Sequence, residues 1–321
     1  MKYSFVLPAY KSTFLKRAID SILSQTYVDF ELVVVDDASP EALDSIVSTY
    51  TDRRIRYYVN DENLGGKDLV AQWNKSLSYA KGDYVILASD DDLYDSTYLF
   101  KMDELVNKYP NADVFRPRVR YIDEKGELLC VDGYLKEMCT GLDVLDAWTR
   151  GWIGSGIPFY IFKRSSLISV DGFAQYPLAW FSDDMTMLRL SKNGVVSSSE
   201  LLFSFRLSGV SISTKLNTYE NLIQKIDATE LFYKEIVQII EDAPLIDEYD
   251  HILKKDLQKR LPCFIQRDKL CGQLSNASLN AMIRSYRKVR KLGFISRKQI
   301  LVFYMLNITR RCIGSLSNIF K

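Results

Sequence analysis

The stretch Tyr84–Tyr94, YVILASDDDLY, decides how the chain is to be read. Apolar, β-prone residues run straight into three aspartates, Asp90, Asp91 and Asp92. A sheet interior does not tolerate three adjacent carboxylates, because each must be desolvated and the three repel one another. The triplet therefore belongs at the end of a strand, and its charge needs a purpose.

Working outward, YSFVL (3–7), FELVVVD (30–36) and IRYYV (55–59) read as further short strands rich in Val, Ile, Tyr and Phe. Helical patterns separate them. In TFLKRAIDSILSQ (13–25), Leu15, Ala18, Ile19, Ile22 and Leu23 share a face. PEALDSIVSTY (40–50) follows Ser39, an expected N-cap with Pro40 at the first helical position. KDLVAQWNKSLSYA (67–80) repeats the period and stops at Lys81-Gly82, which reads as a C-cap. Strands alternating with helices predict an α/β fold, a mostly parallel sheet covered on both faces.

Ligands bind such sheets outside the carboxyl ends of the strands. Those ends are Pro8-Ala9-Tyr10, Asp36-Asp37-Ala38-Ser39 and Ser89-Asp90-Asp91-Asp92, so two acidic clusters are expected at one crevice. One reading of the triplet is a solvated loop that caps a helix beginning near Ser96. The other is a hard-cation site for Mg²⁺ or Mn²⁺, which prefer carboxylate oxygens and bridge to substrate phosphates. A bare acidic pocket would repel a nucleoside diphosphate, and a divalent cation reverses that sign.

Composition narrows the field. The 321 residues, 47% hydrophobic and 26% charged, suit one large or two modest soluble domains. MKYSFVLPAY does not resemble a signal peptide, and Ile300–Leu306 is far shorter than the roughly 20 residues of a spanning helix. Cys130, Cys139, Cys263, Cys271 and Cys312 form no C-x-x-C pair and read as free thiols in the core of a cytoplasmic protein. A single histidine, His251, nearly excludes histidine-based zinc sites and Ser-His-Asp hydrolysis, and itself reads as structural or surface. From His251 onward, 16 basic residues face two acids, leaving 26 basic against 39 acidic before it. The chain thus has an acidic first part and a basic tail. The expected organisation is an α/β domain over 1–215 and a basic helical region over 216–321, with Leu222, Ile226, Tyr233, Val237 and Ile240 as one helical stripe.

SFVLPAYKSTFLKRAIDSILSQTYVDFELVVVDDASPE followed by NLGGKDLVAQWNKSLSYAKGDYVILASDDDLY resembles the nucleotide-binding half of family-2 glycosyltransferases. A looser match runs from FKRSSLISVDGF through WFSDDMTMLRLSKNG to FRLSGVSIS. The resemblance implies the GT-A fold and inverting transfer of a sugar from a nucleotide donor, with UDP expected. It places Pro8, Ala9 and Tyr10 around the base, Asp37 or Asp36 on the uracil edge, and Asp90 on the ribose. Asp91 or Asp92 would hold the metal. The family often has Asp-x-Asp-Asp here, whereas this chain has Ala88 at the first place. Lys67, after Gly65 and Gly66, would touch phosphate or simply face solvent.

WFSDDMTML supplies a second carboxylate pair, Asp183 and Asp184. By resemblance one of them is the general base for the acceptor hydroxyl. Ser182 stands where the family's Glu is usual, and the spacing to Arg189 favours Asp183. The competing reading is an N-capping pair on a helix ended by Gly194. Trp152 and Trp180 are either acceptor-stacking aromatics or core, and GWIGSG (151–156) reads as a flexible acceptor loop. GWIGSG does not fit G-x-G-x-x-G, and no P-loop motif occurs.

Expected partners are a UDP sugar and a glycan or lipid-linked acceptor, in surface polysaccharide assembly by resemblance. The basic amphipathic tail suggests peripheral contact with an anionic membrane, docking on the acidic half, or a homo-oligomer contact. Nucleic acid is not expected, since no recognition motif accompanies the charge. Two alternatives stand. A sugar-phosphate nucleotidyltransferase would want a glycine-rich basic loop after the first strand, where this chain has PAYKS. A non-catalytic nucleotide-sugar binder would not need both acidic sites.

Overall fold

The computed structural model describes residues 1–208, 218–245, 247–293, 296–302, 304–306, 308 and 309. The chain forms two compact units that divide between 209 and 210. The expected boundary at 215/216 lies outside the described residues, as do Cys312 and the end of FRLSGVSIS.

The first unit is built on a mixed sheet. Its parallel half has the order β3 (Ile55–Val59), β2 (Phe30–Asp36), β1 (Tyr3–Ala9), β4 (Tyr84–Leu87). Every residue of β2 and β4 is buried, as a parallel strand covered on both faces requires. The covering helices are α1 (Leu15–Leu23), α2 (Leu43–Val47), α3 (Leu69–Leu77) and α4 (Tyr98–Lys108). Beyond β4 the sheet continues through β9 (Ile161–Lys163), β6 (Val114–Ile122), β10 (Val195–Arg206) and β5 (Leu93–Tyr94). β9 is antiparallel to both neighbours, so β6 and β10 run the same way as β4. β7 (Leu128–Val131) pairs with β6 and β8 (Met138–Cys139) with β10. Helices α5 (Gly141–Thr149), α6 (Arg164–Ser169) and α7 (Ser182–Leu190) complete the unit.

β1 lies between β2 and β4, which makes its carboxyl end the switch point of the sheet. β1 pairs with β2 as far as Ala9↔Asp36 but with β4 only to Val6↔Leu87. Pro8, with no N–H to offer, sits just beyond that last pair. The chain after β4 can therefore turn away from β1, and the aspartate triplet begins there.

Four local expectations are corrected. Ser39 is not an N-cap: α2 starts later, after Ala42, and the Ser39 hydroxyl donates to the Tyr10 carbonyl instead. Gly82 is not a C-cap, since α3 ends at Leu77; a Cβ on Gly82 would lie 2.6 Å from the Tyr3 carbonyl carbon, so close packing demands the glycine. The thiols are not uniformly core: Cys139 is buried, whereas Cys130, on the open β7, and Cys263 are exposed. Nor does the triplet cap the helix after it. The N-cap of α4 is Thr97, whose N–H and hydroxyl both bond to Asp95, and no side chain caps the helix.

The second unit contains α8 (Tyr219–Asp242), α9 (Glu248–Phe264), α10 (Cys271–Ser275) and α11 (Leu279–Lys291). The buried stripe of α8 is Leu222, Ile226, Thr229, Phe232, Ile236 and Ile240. Tyr233 and Val237 are only half-buried, because the helical period carries the stripe through 232 and 236. His251 is exposed on α9. Among the described residues no helix is long and apolar enough to cross a membrane.

Candidate active site

The carboxyl edge of the parallel strands gathers the acidic clusters as the topology predicts. At the end of β2, Asp36 accepts the Ser39 N–H at 2.8 Å and the Tyr57 hydroxyl at 2.7 Å. Asp37 accepts from the Asn60 side-chain amide at 2.7 Å, the Leu64 N–H at 3.0 Å and the Gly65 N–H at 2.7 Å. Both carboxylates are buried, and Asp37 fastens the 60–65 loop to the strand end. Ala38, next in line, has φ of 50°, a left-handed conformation that a non-glycine residue adopts only under constraint. After β1, Pro8 is half-buried, Ala9 is buried, and Tyr10 is exposed at the rim. Lys67 pairs with Glu62 at 2.5 Å in solvent, which leaves its contact with any phosphate a matter of rearrangement.

The triplet is stitched to two other strand ends. Asp90 Oδ2 accepts the backbone N–H groups of Tyr10 and Lys11 at 3.1 and 3.0 Å. Asp92 Oδ1 accepts the Arg206 N–H at 2.8 Å, and its Oδ2 is buried with no hydrogen-bond partner among the described residues. Asp91 is half-buried, 3.5 Å from the Ser208 hydroxyl. Burial raises all three carboxyls above the usual range. Asp91 is pushed up to about 6 by burial and then by the charge of Asp90. The protein has thus gathered three carboxylates in a desolvated cluster, where the charges of Lys11 and Arg206 act against the effect of burial on Asp91.

The second pair lies at the start of α7. Asp183 is half-buried and its Oδ1 accepts the Asp184 N–H at 2.9 Å; Asp184 is buried. The helix N-terminus favours both charges. Neither is the capping residue: that position is Phe181, at φ of 71°. Leu178 and Ala179 also have positive φ, so three strained residues lead into the pair.

Several side chains that pattern reading missed fix where α7 sits. Asp68 caps α3 through the Ala71 N–H and accepts from Gln175 at 2.8 Å. Asn74 accepts the Phe173 N–H, and Thr186 accepts the Ala174 N–H while donating to the Ser182 carbonyl. α3 is therefore shared between the Asp37 loop and the entry to α7. Tyr160, one residue before the Ile86↔Ile161 pair, falls opposite the end of β4. Burial chiefly raises its hydroxyl, against the Arg116 charge and the Ser155 hydrogen bond, with smaller contributions from Asp184 and Asp183.

GWIGSG is not a loose loop. Gly154 donates to buried Asp132, whose carboxylate also takes the Tyr121 hydroxyl and the Arg116 guanidinium, and Gly133 donates to the Trp152 carbonyl at 2.6 Å. Trp152 is nevertheless 57% exposed, beneath the Arg150 guanidinium. Trp180 is half-buried with its ring against Phe181.

Among the described residues no three acidic, histidine or cysteine side chains are grouped as a protein-only metal cage. The triplet fits a different kind of site. Mg²⁺ and Mn²⁺ commonly take one or two carboxylates and complete their shell with substrate phosphates and water. The unpartnered Oδ2 of Asp92 and the half-open Asp91 supply such a donor set.

The profile of Glycosyl transferase family 2 matches residues 4–164. An uncharacterized glycosyltransferase of Rickettsia typhi is 31% identical over 112 residues, 35% of this chain and 34% of that protein. Protein CgeD of Bacillus subtilis is 30% identical over 134 residues, 39% of this chain and 32% of that protein. This chain thus matches about a third of the length of these curated relatives. Among solved structures, S. aureus TarS 1-349 in complex with UDP-GlcNAc superposes with a TM-score of 0.65 at 18% identity, covering 97% of this chain and 92% of that one. The mannosyltransferase PcManGT of Pyrobaculum calidifontis, in complex with GDP-Man and Mn²⁺, gives 0.52 at 16% identity, covering 96% and 86%. The fold is that of these glycosyltransferases. With half of its length matched, from β1 through β9, the chain belongs to glycosyl transferase family 2.

Proposed function

We propose that this chain transfers a sugar from a nucleoside diphosphate, with uridine diphosphate as the expected carrier, to an acceptor hydroxyl with inversion at the anomeric carbon. The observation that carries the proposal is the union of acidic stations at one sheet edge, with Asp36 and Asp37 after β2 and Asp90–Asp92 after β4. The likeness to a fold solved with UDP-GlcNAc supports the choice of carrier.

Each residue then has a task. Tyr10 offers an exposed ring for the base. Asp37 has one acceptor direction left on Oδ2 after its three hydrogen bonds, enough for an imide N–H. Asp90, held by two backbone amides, faces the ribose. Asp91 and Asp92 would hold Mg²⁺ or Mn²⁺, which when bound would neutralise charge on the departing diphosphate. Asp183, the more open of its pair, takes the proton as the acceptor oxygen attacks, and Asp184 supports the helix start. Exposed Trp152 is placed to stack on an acceptor sugar. In the second unit, exposed Leu301, Val302, Met305 and Leu306 follow exposed Arg297 and Lys298. We assign this stretch to an anionic membrane surface; failure to co-sediment with anionic liposomes would remove the assignment.

Incubation with a panel of nucleotide sugars, followed by NMR, tests the reaction class. Slow release of a free sugar and a nucleoside diphosphate is expected, the sugar appearing first as the opposite anomer. Release of a sugar 1-phosphate together with a nucleoside triphosphate, when pyrophosphate is added, would instead identify a nucleotidyltransferase.

A further inference from the structure

Arg206, the last residue of β10, is 2% exposed, and its guanidinium bonds to backbone carbonyls. Nε donates to the Asp91 carbonyl at 2.8 Å, and one terminal nitrogen donates to the carbonyls of Asp123 at 2.9 Å and Glu124 at 3.2 Å. Its own N–H holds Asp92 Oδ1. The guanidinium plane lies over the Phe14 ring at 4.5 Å, in the segment that follows Tyr10 and Lys11. One side chain therefore ties together the chain after β1, the triplet and the turn after β6.

A buried cation bonded in this way does two things. It fixes the Asp91 main chain while the same residue's amide fixes the Asp92 carboxylate, so the relative placement of the two carboxylates is set from a single position. It also brings a positive charge beside the carboxylate of Asp91. Lysine would keep the charge, but its ammonium cannot reproduce a planar fork that meets three carbonyls and stacks on a ring.

We propose that Arg206 is a positioning residue that sets the Asp91–Asp92 spacing through which a divalent cation couples to the nucleoside diphosphate. The proposal rests on the cation–diphosphate reading of the triplet. It concerns how strongly the metal assists nucleotide binding, a quantity that mere loss of stability does not move.

The test is calorimetry of UDP binding to the full chain, in chelator and in Mn²⁺, for the wild type and Arg206→Lys. Wild type should gain about tenfold or more in affinity from Mn²⁺, whereas Arg206→Lys should gain about threefold or less with its metal-free affinity unchanged. Phe14→Leu, which removes the stack and keeps the arginine, should fall between them and serves if Arg206→Lys does not fold. Arg56→Met breaks an ion pair with Glu31 and a bond to the Tyr79 carbonyl at the far edge of the sheet; it should lower the melting temperature and keep the full Mn²⁺ gain. A full gain in folded Arg206→Lys, or in Phe14→Leu if only that variant folds, overturns the proposal. So does equal loss with and without metal. No gain in the wild type itself overturns the cation reading, and the proposal with it.

Discussion

Gly65 donates its backbone N–H to Oδ2 of Asp37 at 2.7 Å, and a Cβ on Gly65 would stand 2.9 Å from that same oxygen. The glycine is required by close approach rather than by backbone conformation. Gly65→Ala should displace the carboxylate that the base edge would meet. Losing a hydrogen bond to a charged group costs about 1.5–3 kcal/mol, so UDP affinity should fall about tenfold or more. Unchanged UDP affinity in calorimetry would remove Asp37 from the base pocket.

The division of labour proposed for Asp183 and Asp184 rests on their exposure, the first half-buried and the second buried. Asp183→Asn should keep UDP binding and lower transfer by about 10²–10⁴-fold, the usual worth of a general base. Asp184→Asn, at a buried position, should lower the melting temperature as well. Loss of UDP binding in Asp183→Asn would contradict the role given to it.

Positive φ at Leu178, Ala179 and Phe181 should be visible as strain. An ordinary Ala→Gly exchange in regular structure costs about 0.5–1 kcal/mol, whereas a left-handed non-glycine residue is itself strained by about 1–3 kcal/mol. Ala179→Gly should therefore leave the melting temperature unchanged or raised, and transfer should slow because the approach to Asp183 is less firmly held. A lowered melting temperature would mean that the backbone is not strained there.

Asp103 ties α4 to the first strand, bonding to Lys2 and to the Tyr3 hydroxyl. Burial opposes its charge, but these partners and Asn107 outweigh it and hold the carboxyl below its usual value. A carboxylate depressed in the folded state contributes stability above its unfolded value, about 3.9, and loses it as pH falls through the folded one. As pH falls from 7 to 3 the melting-temperature advantage of the wild type over Asp103→Asn should shrink, and a constant difference would contradict the linkage.

How far the sequence revealed this arrangement varies along the chain. β2 and β4 were legible because a strand buried on both faces is a continuous apolar run, and the triplet was legible because charge directly after such a run has only the strand end to occupy. β10 was not: VVSSSELLFSFR mixes buried and open residues, and its pairing with β6 spans some eighty residues of chain. Pattern also misjudged glycines and caps, reading Gly82 as a helix end when the approach of β1 explains it. Arg206 falls within the looser match FRLSGVSIS, but its role was not legible because backbone carbonyls are its partners, and every residue carries one. Asn74 and Thr186 went unseen for the same reason, since each accepts a main-chain N–H.

The claim that the triplet engages a cation and a diphosphate is tested most directly by calorimetry of UDP binding with Asp91→Asn beside the wild type, each with and without Mn²⁺. Wild-type affinity should rise with the metal, and Asp91→Asn should bind UDP equally weakly in both conditions. Metal-independent binding by the wild type, or an undiminished metal effect in Asp91→Asn, would contradict the account.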